Sequence, residues 1–139
     1  LESALEAGLV AAGADVLFAE RAGVVEAAKE KGLLSLGSMG DAKATAPESV
    51  MASILWNMEP TVQAVVDDVR AKKFAASNLK NHSFMKEGGS SLTDINTGVT
   101  GGIPADLVSK VKAKHDAIMS GAFTTPVDEA TPAGSVSKG

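Results

Sequence analysis

The sequence predicts an α/β fold, a parallel sheet flanked by helices, and three observations carry that expectation. Ala14 to Phe18 is a short, mostly apolar run after Gly13. It is too short for a helix and apolar enough for a strand buried on both faces. A second apolar run, Leu33-Leu34-Ser35-Leu36, follows one helical pattern later. Helix, strand, helix and strand at this spacing make a βαβ unit, and such units build parallel sheets.

Taken in order, Leu1, Leu5, Leu9 and Ala12 recur at helical spacing with Glu2 and Glu6 opposite, and Gly13 ends that helix. After the first strand, Val24, Val25 and Ala28 form the apolar side of a short helix. Lys29 and Lys31 suit the negative end of its dipole, and Gly32 closes it. The strand over 33–36 comes next, then a turn-rich stretch from Gly37 to Asp41. Pro47 marks the end of a loop, because the residue before a proline avoids helix. Val50 to Trp56 reads as a third strand, with Asn57 just beyond it.

Pro60 opens a helix, where its missing N–H costs nothing. Val62, Val65, Val66 and Val69 form its apolar stripe. Valine is a middling helix former, so packing against the sheet has to hold this helix. Ser83-Phe84-Met85 reads as a short strand and Gly88-Gly89 as a turn. A last helix runs from Ile103-Pro104 to Ser120, with Leu107, Val108, Val111 and Ile118 on one face and Gly121 as its stop. One domain over 1–123 is expected, and a flexible tail over 124–139, where proline, serine, threonine and glycine predominate. The start at Leu1, already inside a helical pattern, reads as part of a longer protein.

Composition narrows the function. A net charge of -4 and an aromatic content of 4% without tyrosine argue against a nucleic-acid partner. The absence of cysteine excludes disulfides, zinc–thiolate sites and thiol catalysis. His82 and His115 lie too far apart to suggest a metal site, and no nucleophile elbow, P-loop or dinucleotide fingerprint occurs. No catalytic residue, metal or cofactor is expected.

Open parallel sheets collect ligands beyond the carboxyl ends of their strands. Phe18 ends the first strand and offers a ring that would stack on a flat ligand, against the plainer role of core packing. Asp41 lies in a glycine-flanked loop, where a carboxylate accepts hydrogen bonds from sugar hydroxyls or merely caps a turn. Lys86, before Gly88-Gly89, can reach a ligand oxygen or stay solvated. Trp56 and Asn57 end a strand as Phe18 does; core packing and local backbone bonding are their ordinary uses.

Together these residues resemble the basic membrane protein family, the purine-nucleoside receptors of ABC transporters. Gly13-Ala14-Asp15-Val16-Leu17-Phe18 is similar to the family's strand, and Val25 to Gly32 to its following helix. Leu36-Gly37 with Asp41 resembles the glycine-to-aspartate loop, Trp56-Asn57 a pair found in one branch, and Lys86-Glu87-Gly88-Gly89 the lysine–glycine turn. Ile103-Pro104 through Phe123 resembles the terminal helix. Glu20-Arg21 and the stretch from Ser90 to Gly102 depart from the family's pattern.

The resemblance implies a type I periplasmic-binding-protein-like lobe, about the second half of a two-lobe receptor that closes on its ligand. It implies that Phe18 stacks on a purine, that Asp41 and Lys86 hold the ribose, and that Trp56 and Asn57 lie near the cleft. It further implies an ABC permease as partner, no catalysis, and a periplasmic or cell-surface, lipid-anchored full-length protein. Two other readings stand beside it. One is the ligand-sensing domain of a sugar-responsive regulator with the same fold, and the other a Rossmann-like enzyme.

Overall fold

A computed structural model of the chain describes residues 8–21, 23–126 and 130. The apolar positions Leu1 and Leu5 and most of the expected tail over 124–139 lie outside the described residues. The sheet has the strand order β1-β2-β3-β4, with β1 at Val16–Phe18, β2 at Leu34–Met39, β3 at Val50–Trp56 and β4 at Ser90–Leu92. The first three strands run parallel and β4 returns antiparallel beside β3. Helices α1 (Val24–Lys31), α2 (Glu59–Arg70) and α3 (Ala105–Ser120) flank it. The α/β class and the parallel sheet are as the sequence predicts.

Helix α1 begins and ends as its residues dictate. The backbone N–H of Gly23 donates to Glu26 Oε2 at 3.1 Å, and Gly32 takes the left-handed conformation that closes the last turn. Val25 and Ala28 are the buried side of this helix. With Ala19, Val50 and Ala46 they cover one face of the sheet. Alternation along the strands assigns Leu17, Ser35, Gly37, Val50 and Ser53 to that face. A register shift between Ser35 and Leu36 lets Val50 and Ser53 share it.

The other face corrects the first expectation. Strand β1 is not buried on both sides: Leu17 is 2% exposed, whereas Val16 and Phe18 on the opposite face are exposed. It lies at the sheet edge, and α1 lies on one side only. Strand β2 is also longer than expected. Gly37, Ser38 and Met39 pair with Ser53, Ile54 and Leu55 instead of turning. The missing Cβ of Gly37 makes this possible, since a methyl there would sit 2.8 Å from the Ala42 side chain. The turn is delayed to Met39, whose φ of 71° is left-handed.

Helix α2 starts one residue before Pro60 and keeps its stripe, yet it buries no residue, so sheet packing is not what holds it. Its valine side is only half covered, and Val62 and Val69 stay exposed. Ser83-Phe84-Met85 is no strand. Lys80–Ser83 and Met85–Glu87 form 3-10 turns. Gly89 sets this shape, because a Cβ there would collide with the His82 carbonyl and Ser83 Cα. The strand belongs to Ser90–Leu92, and the chain continues along β3 through bonds from the N–H of Thr93 to the Ser53 carbonyl and of Asn96 to the Met51 carbonyl. Asn96 Nδ2 donates to the carbonyls of Pro47 and Val50 at 2.7 and 2.9 Å, locking that return. Helix α3 runs to Ser120 and ends at left-handed Gly121, as expected.

Candidate functional site

The parallel order brings the carboxyl ends of β1, β2 and β3 to one edge of the sheet. Strand β4 runs the opposite way and pairs Ser90 with Trp56, so the turn carrying Lys86 arrives at the same edge. Phe18, Asp41, Trp56, Asn57 and Lys86 all belong to segments that meet there. Their side chains do different things.

Phe18 is 52% exposed and Trp56 60% exposed, so neither ring is core. Both stand on the open face. Phe18 is level with Leu36, Ser38 with Ile54, and Trp56 lies two residues past Ile54 on the same side. Met39, half exposed at the tip of β2 and on the side of Gly37 by alternation, has no counterpart among the residues singled out from sequence. An apolar side chain on a left-handed, non-glycine residue was its missed signal, visible only in the backbone.

Asp41 sits on the loop that folds back over the covered face. The Ala42 N–H donates to Ser53 Oγ at 3.0 Å, pinning that loop to β3. Asp41 Oδ1 accepts the Lys43 N–H at 2.9 Å, the turn-capping use of a carboxylate, and the residue is exposed. Asn57 is engaged locally through both ends of its amide. Its Nδ2 donates to the Gly88 carbonyl at 3.0 Å and its Oδ1 accepts the Glu59 N–H at 3.1 Å. It therefore ties the start of α2 to the glycine turn, which is the ordinary role weighed from sequence.

Lys86 is among the residues lining a cavity of about 550 Å³ on the open-face side of β3 and β4. Ile54, Leu92, Phe84, Ile118 and Phe123 line it. The Lys86 ammonium lies 2.9 Å from where a Cβ on Gly121 would be. The last turn of α3 carries no basic residue of its own, so Lys86 supplies positive charge beside that helix end. The structure brings Trp56 and Asn57 to the Lys86 turn and sets Phe18 and Asp41 on the tips of β1 and β2. Among the described residues, no three acidic, histidine or cysteine side chains group to hold a metal, and no helix is long and apolar enough to cross a membrane.

No family model matches the chain, and no curated protein matches its sequence. Solved structures do. An ABC transporter solute-binding protein from Conexibacter woesei DSM 14684 is 25% identical, with a TM-score of 0.56 over 90% of this chain and 41% of that one. Solute-binding proteins of an ABC transporter system from Aeropyrum pernix K1 align with a TM-score of 0.62 at 20% identity, over 91% of this chain and 44% of that one. A transcriptional activator of the comK gene from Bacillus halodurans gives a TM-score of 0.66 at 20% identity, over 88% and 43%. The chain is thus similar in fold to solute-binding proteins and spans well under half the length of each structure.

Proposed function

We propose that this chain is the ligand-gripping lobe of an ABC importer's solute-binding protein, with a purine nucleoside as solute and no catalysis of its own. The observation that supports it most is the carboxyl edge of the sheet. There an α/β unit of under half a receptor's length presents exposed Phe18 and Trp56 at the sheet edge where the Asp41 loop also begins. Apolar side chains that gather in one exposed patch mark surfaces where something else binds. In this reading Phe18 stacks on the base, Asp41 and Lys86 hold the ribose, and Trp56 and Asn57 border the cleft. A second lobe closes over the ligand, burying it between two walls. The basic membrane protein family is the best fit to the ordered motifs. The full-length protein is then exported, lipid-anchored at the periplasmic or cell surface, and partnered by a permease.

Calorimetry tests this directly. The full-length protein, titrated with adenosine, guanosine and inosine, should release binding heat, and Asp41→Ala should weaken nucleosides about tenfold while free bases change little. Absence of heat with every purine would sink the assignment. Equal losses for nucleosides and bases would remove Asp41 from the ribose.

A second reading keeps the fold and changes the job to ligand sensing in a sugar-responsive regulator. Its support is the similarity to a transcriptional activator. A sugar that binds where nucleosides do not would favour it.

A further inference from the structure

The three helices use their side chains differently. Helix α1 buries Val25 and Ala28 against the sheet. Helix α3 pairs its exposed charges along its own length, Lys110 with Asp106 and Lys112 with Asp116. Helix α2 does neither. It buries no residue, and the charged side chains at its ends, Glu59, Arg70, Lys72 and Lys73, make no hydrogen bond or ion pair among the described residues.

Met58, Val62, Val66 and Val69 follow one another at steps of four, four and three, so they stand in one row along α2. Met58, Val62 and Val69 are exposed and Val66 is half-buried. The segment from Phe74 to Leu79 shares a hollow with Val65 and Asp68 on the adjoining side and leaves the row open. Val62, Gln63, Asp67, Val69 and Arg70, all exposed, span nearly half the circumference of the helix. That leaves room for a second helix at a packing distance of about 9 Å.

The ends of the row say which helix fits. Glu59 and Arg70 are eleven residues apart, three turns, and therefore lie on one flank of the row. A two-fold axis beside Val66 sets a second copy antiparallel to the first, with Val62 of each facing Val69 of the other. It also keeps the charged flank on the same side of both, so Glu59 of each copy meets Arg70 of the other. A parallel copy would bring like charges together. A partner of one charge sign would suit one end of the row and repel at the other.

We infer that α2 is a self-association surface: two copies of the protein pair antiparallel through Met58, Val62, Val66 and Val69, closed by reciprocal Glu59–Arg70 ion pairs. One helix face buries less than the roughly 1,200 Å² of a standard interface, so the dimer is weak, with a dissociation constant on the order of 100 μM.

Sedimentation equilibrium of the full-length protein tests this, from about 10 μM to about 1 mM at low salt, where ion pairs are least screened. The mass should climb from monomer to dimer and stop there. Val62→Asp combined with Val69→Asp should leave a monomer throughout. Glu59→Arg and Arg70→Glu should each weaken the dimer about tenfold, whereas the two together should return it to within about threefold of wild type, because the swapped charges meet again across the axis. Circular dichroism should stay unchanged in every variant, since all these side chains are exposed.

A monomer at every concentration would overturn the inference, and so would a mass that climbs past the dimer. A double charge swap as weak as its single parents would remove the antiparallel pairing. No ligand enters the measurement, so each of these failures leaves the solute-binding reading standing.

Discussion

The two faces of this sheet follow different rules. The covered face is made of small and fully satisfied groups: Leu17, Ser35, Gly37, Val50 and Ser53 lie beneath α1 and the loop holding Ala42 and Ala46. Every hydroxyl buried there has a partner, with Ser49 Oγ donating to the Leu33 carbonyl at 2.6 Å and meeting Ser35 at 3.1 Å. The open face carries Val16, Phe18, Ser38 and Trp56, with exposed rings and, among the described residues, no hydrogen-bond partner for the Ser38 hydroxyl. One face is organised to fold, where an unmet hydrogen bond is costly. The other leaves apolar rings at the surface.

Stability measurements by chemical denaturation can break this contrast. Leu17→Ala should cost about 3 kcal/mol, because it leaves a cavity under α1 that the small neighbours cannot fill. Val16→Ala, one residue away on the open face, should cost less than about 1 kcal/mol. Similar losses at the two positions would mean that both faces are packed.

The serines sharpen the comparison at smaller magnitude. Ser49→Ala should cost about 1 to 3 kcal/mol, since it strands the Leu33 carbonyl and Ser35 in the interior. For Ser38→Ala a change within about 0.5 kcal/mol is expected. A costly Ser38→Ala would make that hydroxyl a structural group.

The smallest effect lies away from the sheet, on α3. The hydrogen bond from Lys112 at 3.0 Å, then that with His115, holds the Asp116 carboxyl below its ordinary value. A folded pKa below the unfolded one contributes stability above the unfolded value, and the contribution disappears as pH falls through the folded one. Asp116 is exposed and screened by water, so Asp116→Asn should move Tm by little more than the scatter at neutral pH. Wild type and variant should converge in acid. A large neutral-pH loss would show that α3 depends on this surface pair.

Much of the fold was legible in the residues. Val50–Trp56 matches its apolar run end to end, and α1 and α3 stop at the glycines that marked them. These are local signals, and local physics suffices to read them. The misreadings share one cause. Gly37 looked like a turn because glycine favours turns, yet here it lets Ala42 and Ser53 approach a continuing strand. Phe84 looked like strand core, yet the contact forced at Gly89 bends its neighbourhood into 3-10 turns. The stripe of α2 was real in pattern, but periodicity cannot say whether a partner is present to cover it.

The candidate site divides along the same line. That chemistry would gather at the strand ends followed from the parallel order, which alternating patterns announce without coordinates. That Asn57 is spent on Gly88 and Glu59, that Lys86 leans toward Gly121, and that Ser38 lies between two rings depends on register and on which face each strand turns outward.

Taken alone, the sequence determined the first and third strands, the three helices and where those helices stop, because chain stiffness, apolar spacing and glycine conformation act over a few residues. Only the tertiary structure decided which sheet face is covered and how far apart the exposed side chains stand. Those depend on contacts between residues distant in sequence, and a shift of one residue in register moves a side chain to the opposite face.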